Sequence, residues 1–167
     1  KTSRVVTLRE IEDINADRTT EIIEQITDET AGDSREPSIN ADGTRIAFRS
    51  TANINGGNPE GNREIYLFDT TTGIFTQITD ETAGVSRFPS INADGLRIAF
   101  QSTADINGGN PEGNQEIYLS DTTTGIISQI TDETAGGSRD PSITAAGTRI
   151  ALQFIPLIAA GTHTHTG

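Results

Sequence analysis

Pro37-Ser38-Ile39-Asn40-Ala41-Asp42-Gly43-Thr44-Arg45-Ile46-Ala47-Phe48 returns 52 residues later as Pro89-Ser90-Ile91-Asn92-Ala93-Asp94-Gly95-Leu96-Arg97-Ile98-Ala99-Phe100. It returns again, less faithfully, as Pro141-Ser142-Ile143-Thr144-Ala145-Ala146-Gly147-Thr148-Arg149-Ile150-Ala151-Leu152. A fixed period of this length is settled before any local reading, because it sets the architecture. The string Ile-Thr-Asp-Glu-Thr-Ala-Gly keeps the same spacing at 26–32, 78–84 and 130–136. Laying 26–77 on 78–129 needs no gap and leaves nine mismatches: Asp33/Val85, Glu36/Phe88, Thr44/Leu96, Arg49/Gln101, Asn53/Asp105, Arg63/Gln115, Phe68/Ser120, Phe75/Ile127 and Thr76/Ser128. Copies this alike point to recent duplication.

Within one copy the apolar pattern has period two. Arg45-Ile46-Ala47-Phe48-Arg49 alternates, and Glu64-Ile65-Tyr66-Leu67-Phe68-Asp69 is apolar on both faces, as a strand sandwiched between two layers must be. Asp42-Gly43 between apolar runs is a hairpin signal, since glycine enters positive φ without a Cβ clash, and Thr70-Thr71-Thr72-Gly73 reads as a second turn. Each repeat is therefore expected to form four antiparallel strands, Pro37–Asn40, Thr44–Ser50, Glu64–Asp69 and Ile74–Thr79, with a long Gly/Asn loop between the second and third. Four strands per repeat of this length fit propeller blades better than solenoid coils, whose turns are shorter, or helical repeats, whose spacing differs. The fold class is all-β: β-propeller blades, each a four-stranded antiparallel sheet on the 52-residue repeat, making up a partial propeller.

PSINADGTRIAF, a polar loop, EIYLFDTTTG and a closing Thr/Gln-rich strand resemble the WD-repeat-like blades of TolB-type β-propellers, over residues 9–152. The expected divisions are 1–34, the end of a preceding blade and a linker; 35–86 and 87–138, two blade repeats; 139–153, the start of a third; and 154–167, an aberrant tail. Arg9-Glu10-Ile11 and Thr19–Ile26 can be laid on REIYLFDTTTGIFTQI with two residues inserted, which makes them the last two strands of the preceding blade. The competing reading is an amphipathic helix, from the spacing of Leu8, Ile11, Ile14, Ile22, Ile23 and Ile26. From Phe154 onward the sequence matches nothing in the repeat. Written as codons and shifted by one base, Ile158–His165 yields Ser-Gly-Gly-Asn-Pro-His-Pro, close to the Asn-Gly-Gly-Asn-Pro-Glu-Gly due at that point, so the working hypothesis is a frame-shifted reading of the same repeat. A coding sequence that cannot be re-read in this way removes it.

Composition narrows the partners. The chain has 167 residues, 12 Lys+Arg against 24 Asp+Glu, and a formal charge of -12, which leaves no basic surface for a phosphate backbone and excludes a nucleic-acid partner. No apolar run is long enough for membrane insertion. Cysteine is absent, and with it thiolate metal sites and thiol nucleophiles. Methionine is absent too, even at position 1, so the chain is expected to be a piece of a longer propeller. An open set of blades leaves apolar faces uncovered at both ends, and self-association of two chains to close the propeller is the other way to cover them.

Three clusters carry candidate chemistry. His163 and His165, two apart in the tail, could face one metal but have no third ligand nearby. The loop Gly57–Glu64, repeated at Gly109–Glu116, offers Asn58, Glu60 and Glu64, then Asn110, Glu112 and Glu116, as oxygen ligands for weakly held calcium. It is similar to the Asp-x-Asn-Gly-x-x-Asp loops of some related blades, with Asn58 and Asn110 where a carboxylate would stand, and two charges per loop hold calcium weakly at best. The plainer reading is a solvated loop with no cofactor. Asp28/Glu29, Asp80/Glu81 and Asp132/Glu133 recur on every copy, which argues for a charged rim, since a glycosidase places two unlike carboxylates once. Arg35, Arg87 and Arg139 are expected to pair with these acids.

No catalytic residue is assigned. The resemblance implies a non-enzymatic module for protein–protein interaction or scaffolding, periplasmic or extracellular, with its protein partner unnamed. The alternatives are the non-catalytic propeller part of a larger prolyl-oligopeptidase-like hydrolase, whose Gly-x-Ser-x-Gly would lie elsewhere, and a calcium-stabilised surface adhesion module.

Overall fold

A computed structural model describes residues 6–8, 23–28 and 31–157. β1 (Val6–Leu8) and β2 (Ile23–Gln25) form an antiparallel pair. β3 (Ser34–Ile39), β4 (Arg45–Ser50), β5 (Glu64–Asp69) and β6 (Ile74–Gln77) form one four-stranded antiparallel sheet in chain order. β7 (Ser86–Ile91), β8 (Arg97–Ser102), β9 (Glu116–Asp121) and β10 (Ile126–Gln129) form the next, and β11 (Gly137–Ile143) pairs with β12 (Ile150–Ile155). The architecture is all-β, a partial propeller of two complete blades flanked by two half-blades. No helix among the described residues is long and apolar enough to cross a membrane.

The two-faced apolar pattern of the central strands becomes the packing between blades. Ile46, Phe48, Tyr66 and Phe68 face one way, where Ile26 and Phe75 join them. Ala47, Ile65 and Leu67 face the other way and meet Ile91, Ile98, Phe100 and Tyr118 of the next blade. Ala47 and Phe100 are members of this cluster, and both are fully buried. Burying one such phenylalanine contributes roughly 2–3 kcal/mol. In each blade an aromatic pair stacks on the upstream face, Phe48 on Tyr66 with centroids 5.9 Å apart and Phe100 on Tyr118 at 5.8 Å.

Turns follow the sequence signals. Gly43 sits at φ 73° and Thr44 N–H donates to Asp42 Oδ1 at 3.0 Å, closing β3 onto β4. The first strand is longer than expected, beginning at Ser34 rather than Pro37. A bulge between Arg35 and Ser38 accommodates Pro37, which has no N–H to pair, and lets the ladder resume so that Ser34 faces Ser50.

At the upstream end the strand reading holds over the helical one wherever residues are described. Its position differs, however: β1 lies at Val6–Leu8, while Arg9–Ile11 and the carboxylate Glu29 fall outside the described residues. Val6 pairs with Gln25 as Tyr66 pairs with Gln77, so β1 and β2 take the places of the third and fourth strands of a blade. Gln25 Nε2 donates to Thr27 O and Asp28 Oδ1, as Gln77 Nε2 does to Thr79 O and Asp80 Oδ1. At the downstream end β12 runs through Phe154 to Ile155, past the point where the repeat pattern stops. Phe154 opposes Ser138 where Ser50 and Ser102 bond Ser34 and Ser86, and the fully buried Ser138 Oγ is left without a partner. The rest of the tail, including His163 and His165, lies outside the described residues.

Candidate functional site

β3, β7 and β11 are the inner strands. β3 contacts β7 and β7 contacts β11, whereas no comparable contact joins the outer strands β6 and β10 among the described residues. Each inner strand has one paired edge and one open edge, and each carries the same device. Glu36, Phe88 and Asp140 stand at equivalent positions with φ of 56°, 51° and 53°, in the bulge between Arg35 and Ser38, Arg87 and Ser90, and Arg139 and Ser142. Left-handed backbone is disfavoured for a residue with a Cβ, and a following proline ordinarily restricts its neighbour to extended conformations. Here both apply three times over. Backbone strain of this kind persists only where the surroundings fix it, and it gathers at functional positions.

What fixes it is a set of bonds between blades. Glu36 Oε2 accepts from Phe88 N–H at 2.9 Å, while its Oε1 accepts from Arg49 Nε at 3.2 Å. In the next blade Phe88 has no carboxylate, and Gln101, at the position of Arg49, accepts from Asp140 N–H at 3.0 Å instead. Two of the differences between copies, Glu36/Phe88 and Arg49/Gln101, thus form one exchange of roles. Beside them Ser38 Oγ accepts from Ile91 N–H and Ser90 Oγ from Ile143 N–H, both at 3.1 Å.

Charge concentrates on this row. Arg49, almost fully buried, also reaches Asp33 Oδ1 at 3.3 Å, and Arg35 Nε pairs with the same carboxylate. Burial alone would raise the Asp33 carboxyl, but the Arg49 guanidinium and hydrogen bonds from Thr51, Arg49 and Arg35 outweigh it and hold it below its ordinary value. Arg87 lies among Arg63, Arg49 and Glu36; desolvation and the two like charges lower its pKa, and its buried Nε has no partner. Arg139 bonds Gln153 at 3.0 Å and lies 3.6 Å from Asp140. The expected pairing of Arg35, Arg87 and Arg139 with the recurring Asp-Glu pairs is therefore corrected. Arg35 and Arg139 turn to Asp33 and to Gln153 and Asp140 beside them, Arg87 lies against the preceding blade, and Asp80 takes the Gln77 amide.

The loop expected to offer calcium ligands is tied down by its own hydrogen bonds. Asn58 is buried, its N–H donating to Asn53 Oδ1 at 2.8 Å and its Nδ2 to Asn62 O at 2.9 Å, with Oδ1 unpartnered. Asn110 repeats this with Asp105 and Asn114. Glu60 and Glu112 are exposed, while Glu64 and Glu116 lie buried at the start of their strands and accept from Thr79 Oγ1 and Thr131 Oγ1. Asn58 and Glu64, like Asn110 and Glu116, are thus buried and engaged within the blade while Glu60 and Glu112 face outward, and the described residues hold no cluster of three or more acidic, histidine or cysteine side chains around one point. Each loop instead closes as a polar knot over the blade's outer end, anchored by the buried Ile54 or Ile106.

A cleft of about 410 Å³ opens between the outer halves of the two complete blades, lined in part by Arg45, Leu67, Asp69, Ile78, Ser120 and Thr122. Its origin is the Phe68/Ser120 difference. Upstream, Phe68 packs on Phe75 at 4.6 Å, whereas the corresponding place facing the first blade holds only Ser120 and Ile127.

The inner-strand row escaped the sequence reading, because glutamate, phenylalanine and aspartate do not announce positive φ. A signal was present in the alignment of copies: within the Arg-x-Pro-Ser-Ile string only the residue before proline changes, and it changes in all three.

Repeated four-stranded sheets joined face to face, with inner strands converging and a bonded seam between them, define a β-propeller. Solved structures of TolB proteins are similar to this one. The structure is similar to TolB from Acinetobacter baumannii, with 25% identity and a TM-score of 0.56 over 78% of this chain and 29% of that one. It is also similar to a putative TolB from Agrobacterium tumefaciens, with 18% identity and a TM-score of 0.57 over 80% of this chain and 42% of that one. The β-propeller domain of the Trilobed protease from Pyrococcus furiosus matches in fold, with 15% identity and a TM-score of 0.51 over 72% of this chain and 34% of that one. The chain thus spans less than half the length of each of these proteins. No protein-family model matches the sequence, and no curated protein matches it.

Proposed function

We propose that the chain is a non-enzymatic TolB-like propeller module that binds other proteins at its inner strands, in a periplasmic or extracellular setting. The observation that supports this reading is the row Glu36, Phe88, Asp140: one strained position per blade, displayed on a repeated frame and filled by an acid, an aromatic and an acid. A catalytic centre needs unlike groups placed once, whereas a recognition surface varies side chains on a constant scaffold. Phe88 is exposed despite its size, as an anchor for a partner would be. The test is selection of peptides from a random library on the immobilised chain, repeated with the triple substitution Glu36→Ala, Phe88→Ala and Asp140→Ala. Peptides retained by the parent and lost from a variant with an unchanged circular dichroism spectrum support the assignment. Peptides that bind both equally, or none at all, overturn it.

A further inference from the structure

The two ends of the chain carry complementary halves of one blade. β1 and β2 hold the places of a third and fourth strand, and β11 and β12 those of a first and second. Among the described residues β12 pairs on one edge only, whereas its counterparts β4 and β8 pair on both. The faces record the same vacancy of neighbours. Leu152 is 36% exposed and Phe154 49%, where Phe48, Phe100 and Ser50 are fully buried.

We propose that a second copy of this chain supplies the missing half, its β1 adding to the free edge of β12, so that two chains close one ring. The register follows from the complete blades. Phe48 pairs with Tyr66, Ala47 with Leu67 and Ile46 with Phe68. Val6 stands in the place of Tyr66, so Leu152 faces Val6, Ala151 faces Thr7 and Ile150 faces Leu8 of the second copy.

Among the described residues the seam that joins successive blades also stops at both ends, in matching form. Arg45 Nη1 donates to Gly95 O at 3.2 Å and Arg97 Nη1 to Gly147 O at 2.8 Å. Arg149, next in the series, is exposed, and its counterpart acceptor is Gly43 O of the second copy. Ser38 and Ser90 each accept from the isoleucine N–H of the following blade, so exposed Ser142 meets Ile39, itself 54% exposed. Ala41 N–H donates to Ala93 O and Ala93 N–H to Ala145 O, which leaves Ala145 N–H for Ala41 O across the junction. Two complete blades per chain and two composite ones make a ring of six, within the range propellers adopt. The contact is head-to-tail and becomes a closed dimer because the rotation is completed by two chains.

Three measurements on the 167-residue chain test this. Its solution mass is expected to be twice 17.8 kDa, with dissociation favoured at low salt because each copy carries a charge of -12. Leu152→Glu, at a position exposed in the single chain, is expected to weaken the dimer at least tenfold while leaving the circular dichroism spectrum unchanged. The protein has no cysteine, so Thr7→Cys with Ala151→Cys reports the register directly. Thr70 N–H donates to Thr44 O, which makes Ala47 and Leu67 one of the closer, non-hydrogen-bonded pairs, and the corresponding cysteines should join two chains on oxidation. The pair shifted by one residue, Leu8→Cys with Ala151→Cys, should not. A monomer at all concentrations, an open-ended polymer, or equal cross-linking of both pairs overturns the proposal.

Discussion

Three residues that precede proline hold a backbone their side chains disfavour, and the energy of that choice is measurable. Glycine enters the left-handed region freely, so Phe88→Gly is expected to unfold with a free energy about 1 kcal/mol above that of Phe88→Ala in a denaturant titration, since both variants lose the same partly covered ring. Equal stability of the two variants would mean that the backbone at this position carries no strain. A second residue-scale effect is pH-dependent. Desolvation raises Glu64 from 4.5 to about 7, against the opposing hydrogen bonds from Thr79 and the Glu81 N–H. A carboxyl raised on folding stabilises the native state fully below its unfolded value, and that contribution is lost as pH climbs through its folded value. Stability should therefore fall between about pH 4.5 and 7 by up to about 3 kcal/mol from this group, and Glu64→Gln should flatten that slope in melts taken across the range. At this scale the sequence was a poor guide. Glu64 lies in a loop motif that reads as a solvated ligand set, yet it is 2% exposed, because its neighbours Ile65 to Phe68 fix the strand and carry it inside.

At the scale of elements, strands and turns were legible because their signals are local. Alternation along Arg45–Arg49 and the Asp42-Gly43 turn needed no tertiary information, and β4 and β5 fall where they indicate. The bulge in β3 was not legible, since Pro37 reads as a strand boundary and only pairing of Ser34 with Ser50 shows that the strand continues through it. Likewise β1 is too short to carry a period of its own, which is why its place in the sequence was misjudged. The cleft between the complete blades is an element-scale consequence of one exchange. Ser120→Phe restores the residue found at Phe68 and is expected to raise the unfolding free energy by about 1 kcal/mol by filling part of the 410 Å³ space. If the ring instead overpacks against Leu67 and Ile78, the denaturation midpoint will drop.

Over the whole molecule, charge and core pull in opposite directions. Ile, Leu, Val and Phe make up about 22% of residues, so stability depends on placing those few at every blade interface. A charge of -12 opposes that compaction. The melting temperature is expected to rise as sodium chloride is added from about 10 to 150 mM, over which the screening length falls from about 30 to 8 Å. A melt indifferent to salt would show that acid–arginine pairs such as Asp33 with Arg49 and Arg35 already absorb the repulsion.

Three seam bonds return from one blade to the next, each at its own spacing: Arg45 to Gly95 and Arg97 to Gly147, Ser38 to Ile91 and Ser90 to Ile143, Ala41 to Ala93 and Ala93 to Ala145. Bonds that recur at the same spacings on every joint are indifferent to how many units stand in line. Unequal recombination between the near-identical gene segments, adding or removing one 52-residue unit in frame, would leave these three bonds in place at each remaining junction and change only the bond made beside the strained residue, by Glu36 at one joint and Gln101 at the other. The lineage can therefore change its blade number in whole steps, with the shared bonds of each joint already in hand.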